Sequence, residues 1–310
     1  MIHYYKTLEG RLVRLNKREA GCWVSVYEPT AEELSMLTKE CGLDVGFVRS
    51  CVDAEESSRV ERENGQTLII VDTSVEEPQP GNATRQYNTE PLGIITTEDC
   101  VYTISLHRNR VLSALADGNV PNLQTDFRTQ FTLQVLMRIA VTFIADLKQI
   151  DKISYGLEQE LSGAMKNQEI IQLMGLQKSL VYFTTAIRAD LATLDKIQRG
   201  RALKLYPEDA DLMEDVITEL RQAAEMASIY TGTLTAMMDA FSYVIANNQN
   251  SVMWKLTIIT VLIEIPNIIF GFYGINTDTL PLRFSWVAPF LIAVVLTCIT
   301  SVFIWKHRKF

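Results

Sequence analysis

Between Asn250 and Asn276 the chain reads NSVMWKLTIITVLIEIPNIIFGFYGIN, and the side chains that can do chemistry there are ordered. Thr257, Thr260, Glu264, Asn267 and Gly271 recur at alternating spacings of three and four residues. At roughly 100° of rotation per residue they fall, together with Met253, on about 100° of one helix face. Two hydroxyls, a carboxylate and an amide in a row are oxygen ligands for a cation and its hydration shell. They are equally a polar stripe on which one helix packs against another. Trp254, Ile258, Leu262, Ile265, Ile269 and Phe272 occupy other faces. The segment from Val252 to Tyr273 is long enough, at about 1.5 Å per residue, to cross a hydrocarbon core of roughly 30 Å. A membrane helix with one polar stripe turns that stripe away from lipid. Glu264 sharpens the requirement, because a carboxylate near mid-membrane costs about 2.5–3.5 kcal/mol on insertion scales. It faces a cavity, a partner or an ion, or it is protonated inside a helix contact.

The elements that must hold this stretch follow from the rest of the sequence. A second apolar run, Val287 to Trp305, has nineteen residues without a charge and ends in Lys306, His307, Arg308 and Lys309. A basic cluster at the end of a span stays on the cytoplasmic side. Two spans with a short connector then put both termini, and everything before residue 250, in the cytoplasm. Trp254, Tyr273, Trp286 and Trp305 fall at the four helix ends, where amphipathic rings favour the interface. The start of the chain lacks the basic-then-apolar pattern of a signal peptide.

Upstream, Glu208 to Tyr273 contains a single proline, Pro266, so the pattern predicts one continuous helix roughly 100 Å long. Its soluble half carries an apolar stripe through Leu212, Val216, Leu220, Ala223, Tyr230 and Leu234, and a helix of that length must pack along much of its course. The expected partners are the two preceding helices, Leu123 to about Leu161 and Gln168 to about Gln198, as an antiparallel bundle, with neighbouring copies of the chain as a further option. Before the break at Asp117-Gly118-Asn119-Val120-Pro121 the reading is a small mixed α/β domain. Cys22–Tyr27 and Thr67–Asp72 read as strands, and Leu92–Thr96 and Cys100–Leu106 as a hairpin. Thr30 with Glu33 is a capping box opening a helix to Lys39, and Asp44–Val52 is a second short helix. Val75 to Pro91, rich in Pro, Glu, Asn and Gly, reads as a surface loop.

Composition limits the function classes. The 310 residues carry a formal charge of −8, which argues against a nucleic-acid partner and for attraction of cations. The five cysteines are scattered without a CxxC pair, as in a reduced cytosolic domain. Three histidines, His3, His107 and His307, are spread across the chain, so no zinc cluster or His–Cys catalytic pair is legible. No P-loop, GxGxxG or GxSxG motif occurs, and these absences point away from an enzyme.

One motif adds a family. Phe272-Tyr273-Gly274-Ile275-Asn276 resembles the YGMN signature of the CorA family of divalent-cation channels, with Ile275 in place of Met. Asn250-Ser251-Val252-Met253-Trp254-Lys255-Leu256-Thr257 resembles that family's N-x-V-M-K-x-L-T entry to its first span, with Trp254 at the Lys position and Lys255 following. Ile265-Pro266 and Gly271-Phe272-Tyr273-Gly274 resemble its Gram-positive branch. The resemblance implies an α+β cytosolic domain, a long stalk helix and two C-terminal transmembrane helices. The divisions it implies are 1–120 for the α/β domain, 121–207 for the antiparallel helices and 208–251 for the stalk. The pore-lining span is then 252–273, the external loop with the signature 274–286, the second span 287–305 and the basic cytoplasmic tail 306–310.

It also implies a homopentamer in the cytoplasmic membrane that passes divalent cations, Mg²⁺ first and other divalent metals second. Asn276 would bind a hydrated ion at the outer mouth, with Gly274 letting backbones approach, Tyr273 packing behind and Asp278 adding negative charge. A side-chain carbonyl suits first-shell waters of Mg²⁺, which dehydrates reluctantly. Asn250, Met253, Thr257, Thr260, Glu264, Asn267 and Gly271 would line the pore. Asp215, with Asp211 and Glu214 nearby, lies at the distance upstream where the family binds a regulatory metal.

Two departures bear on selectivity: Ile275, and Glu264 where the family places an apolar or small residue. Altered signatures also occur in the ZntB zinc transporters, so a zinc transporter, proton-coupled or not, is the alternative within the superfamily. A ring of glutamates would repel one another and raise their apparent pKa values, linking flux to pH. A membrane-anchored metal sensor or scaffold that conducts nothing is the alternative outside it.

Overall fold

Strands β3 (Trp23–Tyr27) and β7 (Val101–Ser105) run parallel at the centre of the N-terminal unit, and every one of their residues except Tyr27 is buried. A strand covered on both faces has no reason to alternate in polarity, which explains their nearly continuous apolar character. The computed structural model describes residues 1–77, 85–118, 120, 123–160, 167–200, 203–275 and 287–306. Around the central pair are β1 (Ile2–Leu8), β2 (Arg11–Leu15), β4 (Arg59–Glu63), β5 (Gln66–Glu77) and β6 (Gln86–Thr96). They complete a seven-stranded sheet in the order β2-β1-β3-β7-β6-β5-β4. The other strand pairs are antiparallel.

On one face, α1 (Ala31–Lys39) and α2 (Val45–Ser50) cover Val24, Val26, Leu68, Ile70, Tyr102 and Ile104. Both helices begin at a side-chain cap, the first of them the expected capping box. In α1 the Glu33 amide donates to Thr30 Oγ1 at 3.2 Å and the Thr30 amide to Glu33 Oε2 at 2.9 Å, the two halves of the capping box. In α2 the Asp44 carboxylate accepts from the amides of Gly46 and Phe47. Gly93 of β6 lets α2 approach, since a Cβ there would lie 2.0 Å from Cys51 Sγ.

The other face carries α3 (Arg110–Ala116), α4 (Arg128–Glu160) and α5 (Asn167–Gln198), with α5 lying on β4, β5 and β6. The alternate strand residues meet them through aromatic contacts. Trp23 lies 5.3 Å from Phe131, Tyr87 lies 5.8 Å from Phe183, and Phe143 lies 5.1 Å from Phe183. The two long helices therefore pack on the sheet, not only on one another as the helical pattern alone suggests.

Three expectations need correction. Val75 to Pro91 is not a surface loop throughout: β5 runs to Glu77 and β6 starts at Gln86, pairing Asp72 with Pro91 and Glu77 with Gln86. Residues 78–84 lie outside the described set. Polar residues persist in these strands because helices satisfy them. Thr73 Oγ1 donates to the Glu90 carbonyl and accepts from Asn109, and Ser74 bonds to Asp146 and Arg110. Second, β1, β2, β4 and α3 were not expected from the pattern. Third, α4 begins at Arg128 and not at Leu123, because the Leu123 carbonyl and Thr125 are tied to Thr7 of β1.

A 3₁₀ turn at Pro207–Asp209, whose Asp209 carboxylate accepts from the Tyr206 amide, leads into α6 (Ala210–Tyr273), which Pro266 does not interrupt. Residues Met1–Met238 form one compact unit and Asp239–Phe310 another. Within the first, α6 buries Met213, Val216, Ile217, Leu220, Ala223, Ala227 and Leu234. The second holds the rest of α6 and α7 (Val287–Lys306).

By length and composition three helices qualify as membrane spans, not two: α4 joins α6 and α7. Burial separates them. The apolar window of α4 is 61% buried inside the protein, against 0% for α6 and 11% for α7. The apolar surface of α4 is spent on the core, while that of α6 and α7 is left for another apolar phase.

Candidate functional site

The membrane half of α6 has two distinguishable sides. Ile258, Leu262, Ile265, Pro266, Ile269 and Tyr273 are partly covered within their unit, whose other described element is α7. Thr257, Thr260, Glu264, Asn267 and Gly271 are all exposed. At about 100° per residue the centres of these two sets lie about 190° apart around the helix. Asn250 and Met253 are exposed as well and continue the polar side towards the N-terminus.

The hydrogen bonds on this stripe have a common polarity. Thr257 Oγ1 donates to the Met253 carbonyl and Thr260 Oγ1 to the Leu256 carbonyl, each at 2.9 Å. A hydroxyl has one proton, so both oxygens turn lone pairs outward. Asn267 Nδ2 lies 3.4 and 3.5 Å from the two Glu264 carboxylate oxygens, at the outer limit of a hydrogen bond. That contact directs the amide's donor towards the carboxylate and leaves its carbonyl oxygen as an acceptor. The stripe is thus a column of acceptors, which suits the protons of a cation's water shell. No basic side chain forms an ion pair with Glu264 among the described residues.

The helix end is tight. The Gly274 amide donates to the carbonyls of Phe270 at 2.9 Å and Gly271 at 3.2 Å, and the Ile275 amide to Phe272 at 3.3 Å. A Cβ on Gly274 would sit 3.2 Å from the Phe270 oxygen, closer than ordinary contact, whereas one on Gly271 would meet nothing within 4 Å. Tyr273 is partly covered and makes an edge contact with Phe272 at 5.9 Å. Asn276 and Asp278 lie outside the described residues.

Asp215 is exposed on α6, as are Asp211 and Glu214. No three His, Cys, Asp or Glu side chains converge to hold a metal ion among the described residues. Sequence reasoning missed three clusters in the N-terminal unit, because each joins residues far apart in the chain. Cys22 and Cys100 bring their sulfurs within 3.5 Å in the core. Burial raises the Asp146 carboxyl of α4 above the usual range, and the bonds it accepts from Ser74 and Arg110 offset part of that rise. Ser58, Asp72 and Asp190 form the third. A cavity of about 870 Å³ beside the start of α4 mixes Arg62, Arg128 and Lys204 with Glu98, Asp126 and Asp209, so it favours neither sign of ligand.

The family model described as CorA-like Mg2+ transporter protein matches residues 18–307. The cobalt/magnesium transport protein CorA of Methanocaldococcus jannaschii is 26% identical over 293 residues, covering 93% of this chain and 90% of that protein. The cobalt/magnesium transport protein CorA of Thermotoga maritima is 22% identical over 232 residues, covering 72% of this chain and 65% of that protein. Among solved structures, the complete CorA magnesium transporter of M. jannaschii superposes with a TM-score of 0.82 at 23% identity, covering 100% of this chain and 98% of that one.

Proposed function

The chain belongs to the family of CorA-like Mg²⁺ transporter proteins, and from that premise we propose that it is a homopentameric membrane channel for divalent cations, Mg²⁺ foremost and Co²⁺ among the others. It is a transport protein, not an enzyme. The observation that carries the reading is the exposed column of acceptors on α6, turned about 190° from the covered side. Copies of α6 arranged around one axis with this side inward enclose a path along which a hydrated cation keeps its waters.

In this reading Asn250, Met253, Thr257, Thr260, Glu264, Asn267 and Gly271 line the pore. Asn276 holds the hydrated ion at the outer mouth, Gly274 permits close approach of the chains, Tyr273 packs behind and Asp278 concentrates cations. A ring of neutral amides binds weakly enough to release the ion onward. The protein sits in the cytoplasmic membrane among lipid with both termini cytoplasmic. Transport is passive, driven by membrane potential at about 2.3 kcal/mol per charge per 100 mV. Asp215 contributes to a regulatory Mg²⁺ site between cytosolic units, its partner ligands coming from a neighbouring copy.

Glu264 sets the choice between this function and its runner-up, a zinc transporter that uses a proton gradient. Purified protein in liposomes separates the readings. The expected result is Mg²⁺ entry that follows an imposed potential, is competed by Co²⁺, is lost in Asn276→Ala and changes its pH profile in Glu264→Gln. Zinc uptake that requires a pH gradient would replace the Mg²⁺ reading with the runner-up. Absence of any metal flux in the wild type would leave a non-conducting sensor or scaffold.

A further inference from the structure

Asp190 of α5 is among the most buried charged side chains of the N-terminal unit, 1% exposed, and it lies against a second acid. Its Oδ1 accepts from Ser58 Oγ at 2.9 Å and from the Asp72 amide at 2.9 Å. Ser58 Oγ also lies 3.2 Å from Asp72 Oδ2. Asp190 Oδ2 is fully enclosed and meets no donor among the described residues.

Counting protons makes the point. The serine hydroxyl carries one proton and serves one of its two oxygen contacts. The other contact joins two oxygens, and it is a hydrogen bond only if a carboxyl supplies the proton. Among the described residues no cation substitutes for it. Arg59 of β4 bonds to Glu56, Glu61 and Ser50, Glu90 of β6 pairs with His107, and Asp146 of α4 pairs with Arg110. Asp72 of β5 is the charged group that acts on Asp190. A divalent metal is a poor fit as well, because Mg²⁺ demands an octahedral oxygen shell that two carboxyls and one hydroxyl do not supply.

We propose that Asp72, Ser58 and Asp190 form a proton-binding site in which the two carboxyls share one proton at neutral pH, and that this proton seats α5 on the edge of the sheet. The site belongs to the pair, not to either acid. Burial raises both carboxyls above the usual range, and the neighbouring Asp72 charge pushes Asp190 further. The sign of the pH dependence follows. The folded pair binds its proton more tightly than the unfolded chain does. Stability is therefore fully present below the ordinary carboxylate pKa, about 3.9, and falls as pH rises through the raised folded value. Loss of the proton leaves a buried anion at Asp190 beside a part-buried one at Asp72, and the contact of α5 with β4 and β5 loosens. The inference concerns the cytosolic unit and stands whether or not the pore reading holds.

The test uses full-length protein carrying ¹³C-labelled aspartate, which separates these carboxyls from Glu264 in infrared spectra. A protonated aspartate carbonyl band at neutral pH that bleaches on titration to alkaline pH, and is absent at neutral pH from Asp72→Asn/Asp190→Asn, supports the site. In parallel, hydrogen exchange corrected for intrinsic base catalysis reads amides around residues 72 and 190. Opening there increases about tenfold or more from neutral to alkaline pH in the wild type and stays flat in Asp190→Asn. A neutral-pH spectrum identical to that of the double variant overturns the proposal. If the variants do not fold, the wild-type titration decides alone, since a protonated aspartate band absent at neutral pH refutes it.

Discussion

Single cysteines placed along the membrane half of α6 should report which side meets water. The background needs two changes: Cys298 is exposed on α7 and Cys41 is part-buried, whereas Cys22, Cys51 and Cys100 are buried and silent. Taking Ile258 as zero and about 100° per residue, positions 257, 260, 264, 267 and 271 span about 180° to 260°. Positions 258, 262, 265 and 269 span about −20° to 40° on the same scale. The cysteine thiolate attacks a charged thiol reagent, and a free cysteine has a pKa of about 8.5. Desolvation that raises this by about two units, well within the range for buried groups, cuts the thiolate population about 100-fold at neutral pH. Rates in liposomes should therefore repeat with a period of about 3.6 residues and differ by about 100-fold between the two arcs, before exclusion of the reagent from lipid widens the gap. Modification at 264 or 267 should also block metal flux. A maximum on the 258–269 arc, or rates without helical period, would refute the inward orientation of the acceptor column.

Two further outcomes probe the N-terminal unit. Asp215→Lys should raise the metal concentration that protects the protein from protease by tenfold or more, equivalent to about 1.4 kcal/mol per tenfold, and unchanged protection removes Asp215 from the regulatory site. Thr103→Val leaves the Trp23 indole N–H, now bonded to Thr103 Oγ1 at 2.8 Å, without a partner in the core and should cost about 1–3 kcal/mol. Denaturation of Trp23→Phe/Thr103→Val should show a smaller loss than the sum of the singles, and additivity would mean that the bond contributes nothing.

Legibility in the sequence tracked the range of the signal. The capping box at Thr30 and Glu33 and the α6 pattern are local, and the structure has them where the residues indicate. The polar stripe was legible as a face, since its spacing fixes angle without any partner. What failed depends on distant residues. The strand through Ser74, just before the stretch that reads as a loop, is held by Arg110 and Asp146 from 36 and 72 positions away. Asp72 and Asp190 are separated by 118 residues, and Cys22 and Cys100 by 78. Apolar composition also cannot tell a span from a core helix, as α4 demonstrates: Phe131, Phe143 and Ile139 are as greasy as a span and are buried in the core of the first unit.

The same helix then poses two packing problems along its length. Up to Leu234, α6 places Met213, Val216, Leu220, Ala223 and Ala227 inside the first unit, so intrachain burial supports that part. Beyond it, the apolar window is 0% buried and only one side is partly covered. For the apolar faces this is no cost, because lipid is as good a neighbour as leucine. For the stripe it is. A lone chain in a bilayer turns Glu264 to hydrocarbon at about 2.5–3.5 kcal/mol and adds the unmet hydrogen-bonding capacity of Asn267. Like copies recover both terms when they turn these oxygens towards shared water, and each added copy shields a further flank of the stripe. In the first unit burial is a property of the chain, and in the proposed ring that of the second becomes one of the assembly. Glu264, which an isolated span tolerates least, is then the residue whose placement most strongly favours a closed ring over a single chain.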